Sequence, residues 1–188
     1  MTAQQKTIYV NFFDVIDPLK VNKFIQFCTE VIFQYNPTEL YFFIASNGGD
    51  VDSGFVLYNY LVSLQKKLNV VMHNTGTIDS IANVIFMSGQ KRFAAPNASF
   101  LFHGVMMNFI GPQSRTAITE NLSRLDSMEN RISKTISENS KLKEKELKEL
   151  FLQGEGKDAN FAIDKGLIDK IKIPSVPNGA IHLAMTFV

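Results

Sequence analysis

Apolar residues along this chain alternate between short continuous runs and longer stretches spaced three or four apart. Ile8 to Phe12 is a short β-rich run, and Pro18 opens a stretch with Val21, Phe24, Ile25, Cys28, Val31 and Ile32 at helical spacing. Asn36-Pro37 ends that helix, because the residue before a proline is pushed out of the helical region. Leu40 to Ala45 predicts a fully buried strand with Ser46-Asn47-Gly48-Gly49 as the turn after it, and Val51 to Leu64 again keeps helical spacing. Val70-Val71-Met72 predicts the next strand and Ser80 to Met87 the next helix. Phe93-Ala94 and Ser99 to Phe102 predict two short strands around the turn Ala95-Pro96-Asn97-Ala98. Such strand, turn, helix alternation predicts an α/β fold with parallel strands, whose ligand sites lie at the strands' carboxyl ends. Both the glycine pair and Ser80 fall at such ends.

The pattern changes after His103. Met106 to Gln113 is interrupted by Gly and Pro, and Ala117 to Leu142 reads as one long amphipathic helix with Ile118, Leu122, Leu125, Met128, Ile132 and Ile136 on its apolar face. A helix of that length in so small a chain is expected to project and pack on another subunit. Lys141 to Leu152 and Asp158 to Lys165 predict shorter helices, Gly166 to Ile171 closes the core, and residues 173–188 read as a linker-like tail with an apolar end. Residues 1–172 are therefore expected to form a single domain.

Composition narrows the class. The 188 residues are 45% hydrophobic and 20% charged, enough for one substantial core and short for two. Nineteen basic against eighteen acidic residues leave a net charge of +1, so no nucleic-acid footprint is expected. The single Cys28 reads as a small buried hydrophobe and suits a reducing cytoplasm. The polar N-terminus has no signal-peptide pattern, and no apolar run approaches the roughly 20 residues of a membrane span. No metal or cofactor motif is present.

Three features carry candidate chemistry: Ser80 at a helix start, His103 at the end of an apolar run, and the pair Gly48-Gly49 after a strand. A serine hydroxyl becomes a useful nucleophile only when a base accepts its proton, and His103 is the candidate base. Unpaired N–H groups near Ile81, with the N–H of Gly49, would form an oxyanion hole, where losing one donor costs on the order of 3 kcal/mol in barrier. Each feature also has a plain alternative: an N-cap serine, a core or turn histidine, a tight strand-to-helix turn. The run does not match the G-x-S-x-G elbow, because Ile78 and Ala82 occupy the glycine positions.

Ile44-Ala45-Ser46-Asn47-Gly48-Gly49-Asp50-Val51-Asp52-Ser53-Gly54 resembles the Ile-Asn-Ser-Pro-Gly-Gly-x-Val-x-x-Gly block of the Clp protease proteolytic subunit family. Gly76-Thr77-Ile78-Asp79-Ser80-Ile81-Ala82 is similar to that family's Gly-Gln-Ala-Ala-Ser-Met-Gly block. Gly89 to Ala98 followed by Phe102-His103 is similar to its Gly-x-Lys-Arg-Phe-x-x-Pro-Asn-x-x-x-x-x-His segment, and Asp158 to Asp169 to its Ser-Ala-x-Glu-Ala-x-x-x-Gly-Leu-Ile-Asp ending. Order and spacing hold from about Ile8 to Ile171. The resemblance implies a crotonase-like α/β fold of repeated β-β-α units, Ser80 as nucleophile, His103 as general base, and the N–H groups of Gly49 and Ile81 as oxyanion hole. It implies a serine endopeptidase acting on peptides or unfolded proteins without a cofactor, assembled as heptameric rings, two of which can stack into a tetradecamer. Residues 105–142 would form the handle that joins two rings, Met106 to Gln113 supplying its strand.

The chain also departs from the family. Counting back from Gly166-Leu167, the family's catalytic aspartate falls on Gly154, and the adjacent Glu155 is the candidate orienting carboxylate. Losing such a group can cost about 10⁴ in rate. Ala82 replaces a glycine and Asn47 a proline. The chain starts almost at its first core strand, so it is expected to lack the N-terminal segment that lines the axial pore and helps engage an ATP-dependent unfoldase. Two alternatives stand beside the peptidase: a catalytically silent subunit that co-assembles with an active paralogue, and a crotonase-fold acyl-CoA enzyme.

Overall fold

A computed structural model describes residues 6–185. β1 (Thr7–Phe13) leads into α1 (Pro18–Tyr35), where Asp17 accepts from the Lys20 N–H at 2.8 Å and Asn36 closes the helix in the left-handed region. β2 (Glu39–Ser46) is buried on both faces, as its unbroken apolar run requires, and α2 (Val51–Leu64) starts on the Asp50 cap. β3 (Asn69–Asp79), α3 (Ala82–Phe86), β4 (Lys91–Ala94) and β5 (Ser99–Leu101) follow. The remainder is α4 (Arg115–Glu138), α5 (Glu144–Gln153), β6 (Gly156–Asp158), α6 (Ala159–Asp164), β7 (Lys170–Ile171) and β8 (Ile181–Ala184).

The strands make one sheet in the order β6-β5-β3-β2-β1-β8, with β4 also on β3 and β7 on β4. Every pairing is parallel except β5 with β6. One edge of β3 serves two neighbours in turn: Val71–Asn74 pairs with β4, and Thr77–Asp79 pairs with β5. A register shift against β2 between Ile44 and Ser46 accommodates the change. The core packs α1, α2 and α3 on one face of this sheet, with Phe24 edge-on to Phe12 at 4.8 Å and tilted on Phe42 at 5.8 Å. Cys28 is fully buried in it.

Several boundaries differ from the expected ones, each for a physical reason. β3 runs to Asp79 instead of ending at Met72, because its buried polar residues find partners: His73 bonds the Tyr41 hydroxyl at 2.9 Å and the Lys172 carbonyl at 2.8 Å, and the Asn74 amide donates to the Ser99 carbonyl at 2.8 Å. The helix expected from Ser80 starts at Ala82, since Ser80 itself is at φ +56°. The long helix spans Arg115–Glu138 and not 117–142, capped by Ser114 and stopped at Asn139. Met106 to Gln113 forms no strand, having no ladder partner among the described residues. The tail, expected to be linker-like, carries β8, which pairs with Ile8–Asn11. Residues 1–5, where no signal sequence was expected, and residues 186–188 of the tail lie outside the described residues. No helix among the described residues is long and apolar enough to cross a membrane.

Candidate active site

β3 ends by bringing Ser80 into a turn held on both sides. The Ser80 N–H donates to the Leu101 carbonyl at 2.9 Å, tying the turn to the end of β5. Below it, the fully buried Asn83 amide donates to the carbonyls of Ser80 and Leu101, each at 3.0 Å. Ser80 is one of two non-glycine residues at positive φ among the described residues, a conformation that persists only when its surroundings hold it there. Its hydroxyl caps no helix and has no hydrogen-bond partner among the described residues, so the N-cap alternative does not apply.

The glycine pair explains itself sterically. A Cβ on Gly48 would lie 2.8 Å from the Ser80 Cβ, and one on Gly49 would overlap the Ile16 carbonyl oxygen. Their φ values, +86° and +149°, also favour glycine. Gly54 completes the fit: a Cβ there would overlap Ile81 Cγ1, so only glycine lets α2 pack this closely on the residue after Ser80. The backbone N–H groups of Gly49 and Ile81 engage no acceptor among the described residues. Asp50 N–H instead donates to the Ile16 carbonyl at 2.8 Å, which fixes the turn.

Ser80, His103, Gly48 and Gly49 line one cavity of about 600 Å³, with Val15, Val51, Val105, Met106, Met107 and Met128 among its apolar walls. Ile81 is fully buried beside it. His103 Nδ1 lies 2.7 Å from the Gly104 carbonyl oxygen. A carbonyl only accepts, so Nδ1 carries the hydrogen and Nε2 is the ring's acceptor. No hydrogen bond joins His103 to Ser80 among the described residues, and the His103 ring bonds the Gly104 carbonyl.

Glu155 is not brought to this cavity. It precedes β6 on the edge of the sheet, where its carboxylate pairs with Lys157 Nζ at 3.0 Å and its side chain is 67% exposed. Gly154 ends α5 in the left-handed region with nothing within 4 Å of its would-be side chain. Sequence reasoning misses two polar residues that support the site, Asn83 and Glu129. Glu129 Oε1 accepts from the Val105 N–H at 2.9 Å. Neither stands out in sequence, because one sits in an apolar run and the other on a charged helix face. No cluster of three metal-ligating side chains occurs among the described residues.

Comparison with known proteins places the chain's sequence beside one family. The sequence pattern of the Clp protease family matches residues 15–174. ATP-dependent Clp protease proteolytic subunit 2 of Treponema denticola is 28% identical over 134 residues, which cover 70% of this chain and 65% of that protein. The protein of the same name from Borreliella burgdorferi is 32% identical over 74 residues, 38% of this chain and 36% of that protein. The ATP-dependent Clp protease proteolytic subunit of Streptococcus mutans is 26% identical over 140 residues, 73% of this chain and 70% of that protein. The chain thus matches less than two thirds of the length of the first two relatives.

Proposed function

The chain belongs to the Clp protease family and has its mixed α/β, crotonase-like fold, and from that premise we propose that it is a serine endopeptidase working through Ser80 and His103. The observation that carries this reading is a serine held at φ +56° with a free hydroxyl, in one cavity with His103 and Gly49. His103 Nε2 takes the Ser80 proton as Oγ attacks the scissile carbonyl carbon. The resulting oxyanion is met by the N–H groups of Gly49 and Ile81. The proton passes to the leaving amine as the C–N bond breaks, and water then attacks the acyl ester, with His103 as base again. The methionine-rich walls suit an apolar side chain beside the scissile bond.

Assembly belongs to the same proposal. Met106, Ile110 and Phe109 are exposed on a segment without a ladder partner, and Ile118 and Leu122 are exposed on the first half of α4. Two copies of Met106–Gln113 pairing across a ring-to-ring contact would satisfy both the backbone and the apolar surface. Heptameric rings, a peptide or unfolded-protein substrate and a cytoplasmic setting complete the proposal.

A second reading, a catalytically silent subunit that joins an active paralogue, is favoured by one observation: Glu155 pairs with Lys157 and not with His103. A fluorophosphonate probe separates the two. We expect an adduct on Ser80 of the assembled protein, lost in Ser80→Ala and His103→Ala. Absence of the adduct from an assembly of confirmed mass would overturn the peptidase reading in favour of the silent subunit.

A further inference from the structure

In the absence of Glu155, what backs His103 is a peptide group with a carboxylate behind it. His103 Nδ1 donates to the Gly104 carbonyl oxygen at 2.7 Å, and the Val105 N–H donates to Glu129 Oε1 at 2.9 Å. These two bonds use opposite ends of one peptide unit, since the Gly104 C=O and the Val105 N–H share a plane. We propose that Glu129 is the positioning carboxylate of His103, acting through that single peptide group. A carboxylate accepting from the N–H draws electron density toward the carbonyl oxygen, which makes it a better acceptor for Nδ1–H; hydrogen bonds in such chains polarise one another. As His103 takes the Ser80 proton, the positive charge is met by the carbonyl dipole and, one peptide further on, by the carboxylate's negative charge.

Two further details fit this arrangement. A Cβ on Gly104 would lie 2.9 Å from Glu129 Oε1, so glycine at this position leaves the room the carboxylate occupies. The Gly104 N–H donates to the Phe151 carbonyl at 3.2 Å, so α4 and α5 grip the His103–Val105 segment from two sides. The carboxylate therefore comes from the long helix α4 and not from the β6 edge.

The relay presupposes that Ser80 and His103 are the working pair, and the test keeps the two apart. Glu129→Gln retains an acceptor and removes the charge. In peptide hydrolysis by the assembled protein we expect kcat to fall about tenfold, far short of the roughly 10⁴ attached to a directly bonded carboxylate. KM and the thermal midpoint stay as in the parent. Gly104→Ala, which displaces the carboxylate, gives a similar kcat defect, and the double variant is no worse than either single. An unchanged kcat in Glu129→Gln, or a loss of kcat that tracks a lowered thermal midpoint, overturns the relay. Should the parent neither hydrolyse peptide nor take the fluorophosphonate, the peptidase reading fails, and the relay is decided by NMR of the His103 ring. An upfield move of its Nδ1 proton in Glu129→Gln supports the relay, and an unmoved resonance overturns it.

Discussion

A methyl group on Gly49 has nowhere to go: the Ile16 carbonyl oxygen already fills its position, and φ +149° disfavours any side chain. Gly49→Ala is therefore expected to cost more than about 1 kcal/mol in stability. It is also expected to abolish fluorophosphonate labelling of Ser80, because relief of the clash moves the N–H proposed to meet the oxyanion. Chemical denaturation and labelling of the same preparation check both. At this scale much of the candidate site is legible in the order of residues alone. His103 and Gly48-Gly49 come directly after apolar runs, Ser80 comes before the next helical stretch, and parallel strands gather their carboxyl ends. Glu155 illustrates the limit, since neighbouring residues along an extended segment face opposite sides and a one-residue shift in count changes the face. Asn83 and Glu129 are illegible for another reason. Their distant partners, the Leu101 carbonyl and the Val105 N–H, lie on β5 and on the segment after it, and only the folded chain brings them near.

Elements are legible where local chemistry decides them. α1 follows from apolar spacing, Pro18 and Asn36-Pro37, and each signal has its structural counterpart. The Asp17 cap gives a direct check: Asp17→Ala removes the acceptor for the Lys20 N–H and is expected to cost about 1 kcal/mol. That corresponds to a fall of about 2–4 °C in thermal midpoint for a chain of this size, measurable by calorimetry. β3 is longer than its apolar run, because His73, Asn74 and Thr77 look like a strand's end until their partners are known. Met106 to Gln113, where the resemblance implies a strand, forms none, because a strand needs a neighbour and one copy of the chain does not supply it. α4 shows the same split along its length: Ile132 and Ile136 are buried in the core, while Ile118 and Leu122 remain exposed.

For the whole molecule, His73 couples stability to pH. It is fully buried under Tyr41, Phe43 and Phe93, and burial above all, with the Lys172 charge, holds its pKa below the usual histidine value against the opposing hydrogen bond to the Lys172 carbonyl. Between the folded and unfolded pKa values the unfolded chain binds more protons, so stability rises with pH there. Thermal midpoints are thus expected to fall as pH drops below about 6.5. His73→Gln should flatten that fall. The carboxyls of Asp14, Glu146 and Asp158 act in a separate, more acidic window. The Lys20 hydrogen bond lowers the first, the Lys165 hydrogen bond the second and the Phe161 N–H the third, so what they contribute is lost only as pH falls through their depressed values. Midpoints measured at intervals across both windows distinguish the two.

The pairing of β8 with β1 joins the first of the described strands to be synthesised to the last of them. A growing chain can dock β2 onto β1 and β3 onto β2 as each emerges, but the other side of β1 stays open until residues 181–184 leave the ribosome. During that interval Ile8, Val10 and their neighbours present an apolar strand edge, a template for pairing with other nascent chains. A chain halted before residue 181 is accordingly expected to accumulate as aggregate, while the same chain extended through Ala184 stays in solution, as sedimentation of the two translation products would reveal. Translation itself, and not only the native contacts, thus sets when this sheet becomes safe from its neighbours.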